Sequence, residues 1–175
     1  MNSLFQSPGC QDFFDHWRRL ASGATVPHTR TYFDHPTPLI RSTLIFELLS
    51  EGTLVRLMGT ELVARWQQNV TGDYLESHMA QSDASRFRTD LKTVCAHPAG
   101  VCGIGEAKTS TNRPLGFEAV VLPLAVDAGK PPRCVVYREC HGKLDFHEHK
   151  VGFYWPQKRD WIDVGAGMPA AKPSK

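Results

Sequence analysis

The chain of 175 residues lacks a long apolar run, since the longest, 119–126, is interrupted by Pro123. A bilayer-spanning helix needs about 20 apolar residues. It also lacks an excess of either charge, with 20 Lys and Arg against 18 Asp and Glu, so no strong field argues for nucleic-acid or membrane partners. Five cysteines, Cys10, Cys95, Cys102, Cys134 and Cys140, form no CxxC pair and cannot all pair within one chain. That usage fits reduced thiols in a cytosolic compartment, without structural disulfides. The amino terminus has no basic start followed by an apolar stretch, so no secretory signal is read and a cytoplasmic location is expected. No Walker-type phosphate loop, kinase signature, helix-turn-helix or internal repeat is found. What remains is an ordinary globular composition, 41% hydrophobic and 22% charged, at a length that suits one domain with extensions.

Residues 8–21 read as a helix: Ser7 caps it, Pro8 fits the first turn, and Phe13, Phe14, Trp17, Leu20 and Ala21 recur at helical spacing before Gly23 ends it. Residues 26–38 carry three prolines and read as extended connecting chain. Residues 44–49 and 54–58 read as a β-hairpin turned at Gly52. Thr60 then caps a brief helix through Trp66, Thr71 another around Tyr74, and Ser82 or Asp83 a longer one to about Cys95, with Phe87, Leu91, Val94 and Cys95 inward. After Gly100 the period changes to strands at 101–107, 115–126 and 133–140, with further pairing segments at 153–155 and 161–164. Residues 168–175 read as a disordered tail. The order predicts an α+β domain over 26–167: an antiparallel sheet of about five strands with helices on one face, an extra N-terminal helix within 1–25, and a hollow between the layers.

Several stretches carry a resemblance when taken in order: Val55-Arg56-Leu57-Met58-Gly59-Thr60-Glu61, Val70-Thr71-Gly72-Asp73-Tyr74-Leu75, Glu118 with Leu122-Pro123-Leu124, and Trp161-Ile162-Asp163-Val164-Gly165-Ala166-Gly167. This set resembles the PAS superfamily of sensory domains and, within it, small stand-alone bacterial PAS proteins, over most of residues 12–167. Gly59, Thr60, Thr71 and Gly72 themselves read as fold determinants, Gly59 by letting the strand turn sharply. The resemblance implies a PAS-like fold, a small molecule or partner bound between helices and sheet, and a regulatory role without catalysis. With no output domain read in the chain, the signal is expected to pass in trans to a separate signalling protein.

The cofactor is left open. None of the five cysteines stands in the Asn-Cys-Arg-Phe context of flavin-photoadduct PAS domains, and for haem only His97 and His78 fall near the longest helix. The densest chemical cluster is Cys134, Cys140, His141, His147 and His149. If His147 and His149 lie on one strand they share a face and could hold zinc or iron. Gly142 followed by His147 and His149 is also similar to the first cupin motif, although its spacer is one residue short and no Glu follows. This defines the alternative, a metal-dependent cupin-like enzyme, against a solvated loop. Ligand-binding candidates are Trp66, Tyr74, Phe87 and Leu91, which either wall a central cavity or fill an ordinary core. Arg86, Arg88 and Lys92 form a small basic helix face, suited to an acidic partner or simply to water. The stripe of Phe13, Phe14, Trp17 and Leu20 lies outside the PAS-like core and needs cover, from a second copy in a homodimer or from the chain's own sheet.

Overall fold

The computed structural model describes residues 4–170 apart from Pro36 and Phe146. The expected tail therefore lies, from 171 onward, outside the described residues. The first helix, α1 (Pro8–Ala21), follows its apolar period. Ser7 stands at the N-cap but its hydroxyl is bonded to the His141 ring at 2.8 Å and makes no cap bond. Glu118 instead fixes the chain just before the helix, accepting the backbone N–H groups of Ser7 at 2.6 Å and Gln6 at 3.0 Å. A carboxylate is favoured there by the positive end of the helix. The chain leaves α1 through Ser22 in the left-handed region, φ 46°.

Residues 26–38 are not wholly extended: a short helix, α2 (Thr29–Asp34), lies within them, capped by the His28 ring, which accepts from Arg30 N–H. Pro27 precedes this helix, so it removes none of its hydrogen bonds. A 3₁₀ turn at Pro38–Ser42 then leads into β1 (Thr43–Leu48) and β2 (Thr53–Met58). The helix α3 (Thr60–Trp66) starts one residue before expectation, with Gly59 as N-cap in ordinary extended geometry, φ −65° and ψ 150°. Thr60 is its first residue and not its cap. The helix expected around Tyr74 is a 3₁₀ turn, Leu75–His78. The long helix is α4 (Gln81–Ala96), followed by β3 (Ala99–Thr109), β4 (Pro114–Leu124), β5 (Arg133–Cys140), β6 (Lys150–Val151) and β7 (Lys158–Asp163).

All strands pair antiparallel in the order β2-β1-β5-β4-β3, with β6 and β7 sharing the outer edge of β3. Six strand positions thus replace the five expected, because the closing segment adds an edge. Each face has its own core. Toward α3 and α4, Leu44, Phe46, Val121, Cys134 and Val136 pack with Leu62, Trp66, Phe87, Leu91 and Val94. On the opposite face, Ile45, Val120, Leu122, Val135 and Tyr137 pack with Phe13, Phe14 and Trp17 of α1. The period of two along β5 makes this division possible, since Cys134 and Val136 face one layer while Val135 and Tyr137 face the other.

The apolar stripe of α1 is therefore covered by the chain's own sheet. Phe13 and Trp17 are fully buried, Trp17 donates its indole N–H to the Pro123 carbonyl at 2.9 Å, and Phe13 stacks on Tyr137 with centroids 5.2 Å apart. The expectation of a homodimer through this stripe is corrected by that packing: the surface that needed cover already has it.

Candidate functional site

Where α4 and the Leu75–His78 turn face the sheet, the two layers leave a narrow cavity. Its floor is Leu44 and Phe46 of β1, Val136 and Arg138 of β5, and Ala119 of β4. Its roof is Leu75, Met79 and Phe87, and a strap of chain from Phe153 to Pro156 closes the side. The register explains the floor, since Leu44 lies opposite Val136 and Ala119 opposite Arg138. The free volume is about 20 Å³, close to what one water requires.

The strap is fastened at several points. Trp66 stacks on Phe153, centroids 4.6 Å apart, and donates its indole N–H to the Gly152 carbonyl at 2.7 Å. Phe153 N–H donates to the His78 carbonyl at 3.1 Å. Trp155 packs edge-on against Phe87 and donates its indole N–H to Asp90 at 2.7 Å. Asp90 also pairs with Arg159 at 2.7 Å, both side chains almost wholly buried. Asp83, expected to cap α4, sits inside its first turn, where it holds Arg86 and accepts Trp155 N–H at 3.3 Å. The strap is thus joined to α4 by two carboxylates, and Ala80 is left as an N-cap without a side-chain bond.

Of the four residues singled out from sequence, the structure gathers three on this side of the sheet. Phe87 lines the cavity. Trp66 backs the strap from outside the lining, and Leu91 is fully buried in the core around it. Tyr74 does not join them. It is 40% exposed, with its ring over Gly52 at the hairpin turn, because residues 70–73 turn the chain outward before the 3₁₀ turn begins. The strand expected at 153–155 is instead this strap, whose backbone pairs at an isolated Phe153–Met79 bridge.

Two residues of the site were missed. Arg138 is 6% exposed, and its Nε and Nη2 have no hydrogen-bond partner. The guanidinium lies 3.4 Å from the Phe117 ring centroid and 5.4 Å from that of Trp66. Burial pulls it down to about 10, which still leaves it charged at neutral pH. Lys150 is 1% exposed, with Nζ 3.2 Å from Cys140 Sγ and 4.4 Å from the Trp66 ring centroid. Burial, and next the Arg138 charge, push the ammonium down to about 7. A signal for Arg138 did exist: it has the same parity as Cys134 and Val136 along β5, so alternation alone places it inward. No such signal existed for Lys150, which follows an irregular stretch.

The candidate metal cluster does not assemble. Cys134 and Cys140 stand six residues apart on one strand, about 20 Å at 3.3 to 3.4 Å per residue, and each has other neighbours. His147 and His149 are not on a strand. Between them Glu148 turns inward and holds Arg113, Thr109 at 3.0 Å and Thr111. Arg113 first, then Thr111 and the Asp145 backbone, keep the Glu148 carboxyl far below the usual range. Among the described residues no group of three or more His, Cys, Asp or Glu is placed to hold a metal ion. Among the described residues the strands form one open sheet running from β2 to the β6 and β7 edge, and not the barrel of the cupin-like alternative. Neither histidine near α4 lines the cavity: the His97 ring lies 3.1 Å from the Gly167 carbonyl, and His78 pairs with Asp73 at 2.9 Å. Two residues of the basic face of α4 are used within the chain, Arg86 by Asp83 and Arg88 by the carbonyls of Leu49, Ser50 and Glu51, while Lys92 is exposed.

The sheet thus carries a long helix, a short helix and a 3₁₀ turn over one face, an α+β architecture. A profile of the PAS domain family matches residues 5–136. The chain belongs to that family, and the match includes α1. Seven chains among solved structures match. One, reported in a study of a fungal LOV domain photoreceptor linking blue light and oxidative stress, is 13% identical with a TM-score of 0.47, covering 76% of this chain and 94% of that one. Among curated proteins none matches.

Proposed function

We propose that this PAS domain is a bacterial cytoplasmic sensory module that binds a small molecule between α4 and the sheet and acts in trans on a separate signalling protein, by regulated binding and not by catalysis. The observation that carries this reading is the cavity at the layer boundary. Its floor is rigid sheet, and one wall is a strap of irregular chain. Phe87 lines the cavity, and Trp66 supports the strap that must move for the space to enlarge. A sensor requires two conformations with different affinity for the ligand, and a strap held by side chains and an isolated backbone bridge supplies the second. The five free cysteines fit a reducing compartment. Among the described residues no helix is long and apolar enough to cross a membrane.

Native mass spectrometry of protein purified under mild conditions tests the reading. The expected result is a non-covalent adduct above the mass of the 19.6 kDa chain, lost in Ala119→Leu, which grows into the cavity floor. Circular dichroism verifies that the variant is folded. An adduct retained undiminished in folded Ala119→Leu would place the ligand elsewhere and overturn the reading.

A further inference from the structure

Arg138 and Lys150 are two buried basic groups, of which Arg138 lines the cavity and Lys150 lies outside that lining, and the described residues supply no carboxylate that hydrogen-bonds to or pairs with either. After Cys140, Asp83 is the acidic group that acts on Arg138, yet its oxygens are engaged by Arg86 and by Trp155 N–H. Glu148, two residues before Lys150, is taken by Arg113 and the two threonines. Asp90 is held by Arg159 and the Trp155 indole. What remains around the two cations is the pair of rings, Trp66 and Phe117, and the Cys140 sulfur. Ring faces offset part of the cost of burying a cation, but a buried charge is ordinarily matched by an anion.

The unpartnered atoms of Arg138 carry further information. Nε and Nη2 form one edge of the planar guanidinium, with two parallel N–H bonds, and that edge matches the two oxygens of a carboxylate. Apart from Tyr154 and Trp155, whose indole N–H is taken by Asp90, the rest of the lining, including Leu44, Phe46, Leu75, Val136 and Phe153, is apolar. A second charge or a sugar would find few partners there. We infer that the cavity takes a small organic monocarboxylate, its carboxylate on the Nε–Nη2 edge of Arg138 and its apolar body against Phe46, Leu75, Val136 and Phe153; this rests on the ligand-cavity reading above. Because the present space holds about one water, entry displaces Met79 and the strap, and the displaced strap is the signal. The anion neutralises the charge that the sheet buries, so binding and strap release are linked.

The test uses benzoate and hexanoate as probes, with benzyl alcohol and 1-hexanol as uncharged matches, titrated at pH 7 into the whole ¹⁵N-labelled protein and followed by amide shifts. The expected result is saturable shifts at residues 75–79, 136–138 and 153–155, with each carboxylate binding at least about tenfold more tightly than its alcohol, equivalent to about 1.4 kcal/mol. Folded Arg138→Met should abolish that preference, and Arg138→Lys, which keeps the charge without the fork, should retain part of it. If alcohols bind the same cavity amides as tightly as carboxylates, the cavity reading stands and the carboxylate assignment falls. An undiminished carboxylate preference in folded Arg138→Met also overturns the assignment. Should Arg138→Met fail to fold, the wild-type comparison of acid with alcohol decides alone. If no probe moves the cavity amides, both readings fall together.

Discussion

Gly59→Ala is expected to destabilise the fold, through contact and not through backbone strain. At φ −65° and ψ 150° the backbone at Gly59 is open to any residue, so the expectation that glycine is needed there to let the strand turn sharply does not apply. The obstacle is the 3₁₀ turn at Pro38–Ser42. A methyl at Gly59 would fall onto the carbonyl oxygens of Ile40 and Arg41 and lie 2.5 Å from the Arg41 carbonyl carbon. Backbone cannot rotate away as a side chain can, so the cost belongs at the upper end of overpacking, about 2–3 kcal/mol. Replacing Gly also restricts the unfolded chain, which returns about 0.4–1 kcal/mol. The net loss is about 1–2.5 kcal/mol, or a melting decrease of about 2–10 °C at this chain length. The control is Gly72, where φ is +95° and no atom lies within 4 Å of the place a methyl would take. There Asn, which tolerates that region, should be milder than Ala, whereas at Gly59 Asn should be no milder. Denaturant unfolding of the four variants measures this. Gly59→Ala within about 0.5 kcal/mol of wild type, or rescue of Gly59 by Asn, refutes the contact argument.

Three further outcomes follow from the packing and the buried charges. Asp90→Ala removes the buried carboxylate that pairs with Arg159 and accepts the Trp155 indole and should cost about 3–5 kcal/mol; an effect below about 1 kcal/mol in urea unfolding contradicts the lock between strap and α4. Trp17→Asp should cost at least about 3 kcal/mol, as for loss of a core Trp, while a variant that changes oligomeric size by light scattering and keeps its stability would restore the dimer interface. Stability should rise between about pH 7 and 8.5, because the Lys150 ammonium is held down to about 7 in the fold and protonates fully in the unfolded chain. Above about pH 9 the sign reverses, since burial raises the Cys10, Cys102 and Cys134 thiols and the unfolded chain loses those protons first. Lys150→Met should remove the rise and keep the fall, as read by melting across pH.

Much of the fold was legible because its period was strong. The α1 stripe, the α4 face of Phe87, Leu91 and Val94, and the alternation along β5 each place residues where the structure has them. Local chemistry misled where tertiary contacts decide. Thr60 and Ser7 look like caps, yet Gly59 stands at the cap of the one helix and the distant Glu118 fixes the chain just before the other. The prolines of 26–38 look like breakers but flank a helix. The site was only half legible. Phe87 follows from helical spacing, whereas the strap at 153–156 has neither period, and its role depends on Asp83, Asp90 and Trp66, far away in the chain. The histidines of 147–149 drew attention by type, although the residue between them, Glu148, is the one that turns inward.

The most direct test of the account is a crystal structure of the protein grown with benzoate. The account predicts density for one molecule between α4 and the sheet, in contact with Phe87 and with its carboxylate on Arg138, and a Phe153–Pro156 strap moved outward relative to unliganded crystals. A cavity filled by side chains in both crystals, with the strap unmoved and benzoate absent from the layer boundary, would contradict it.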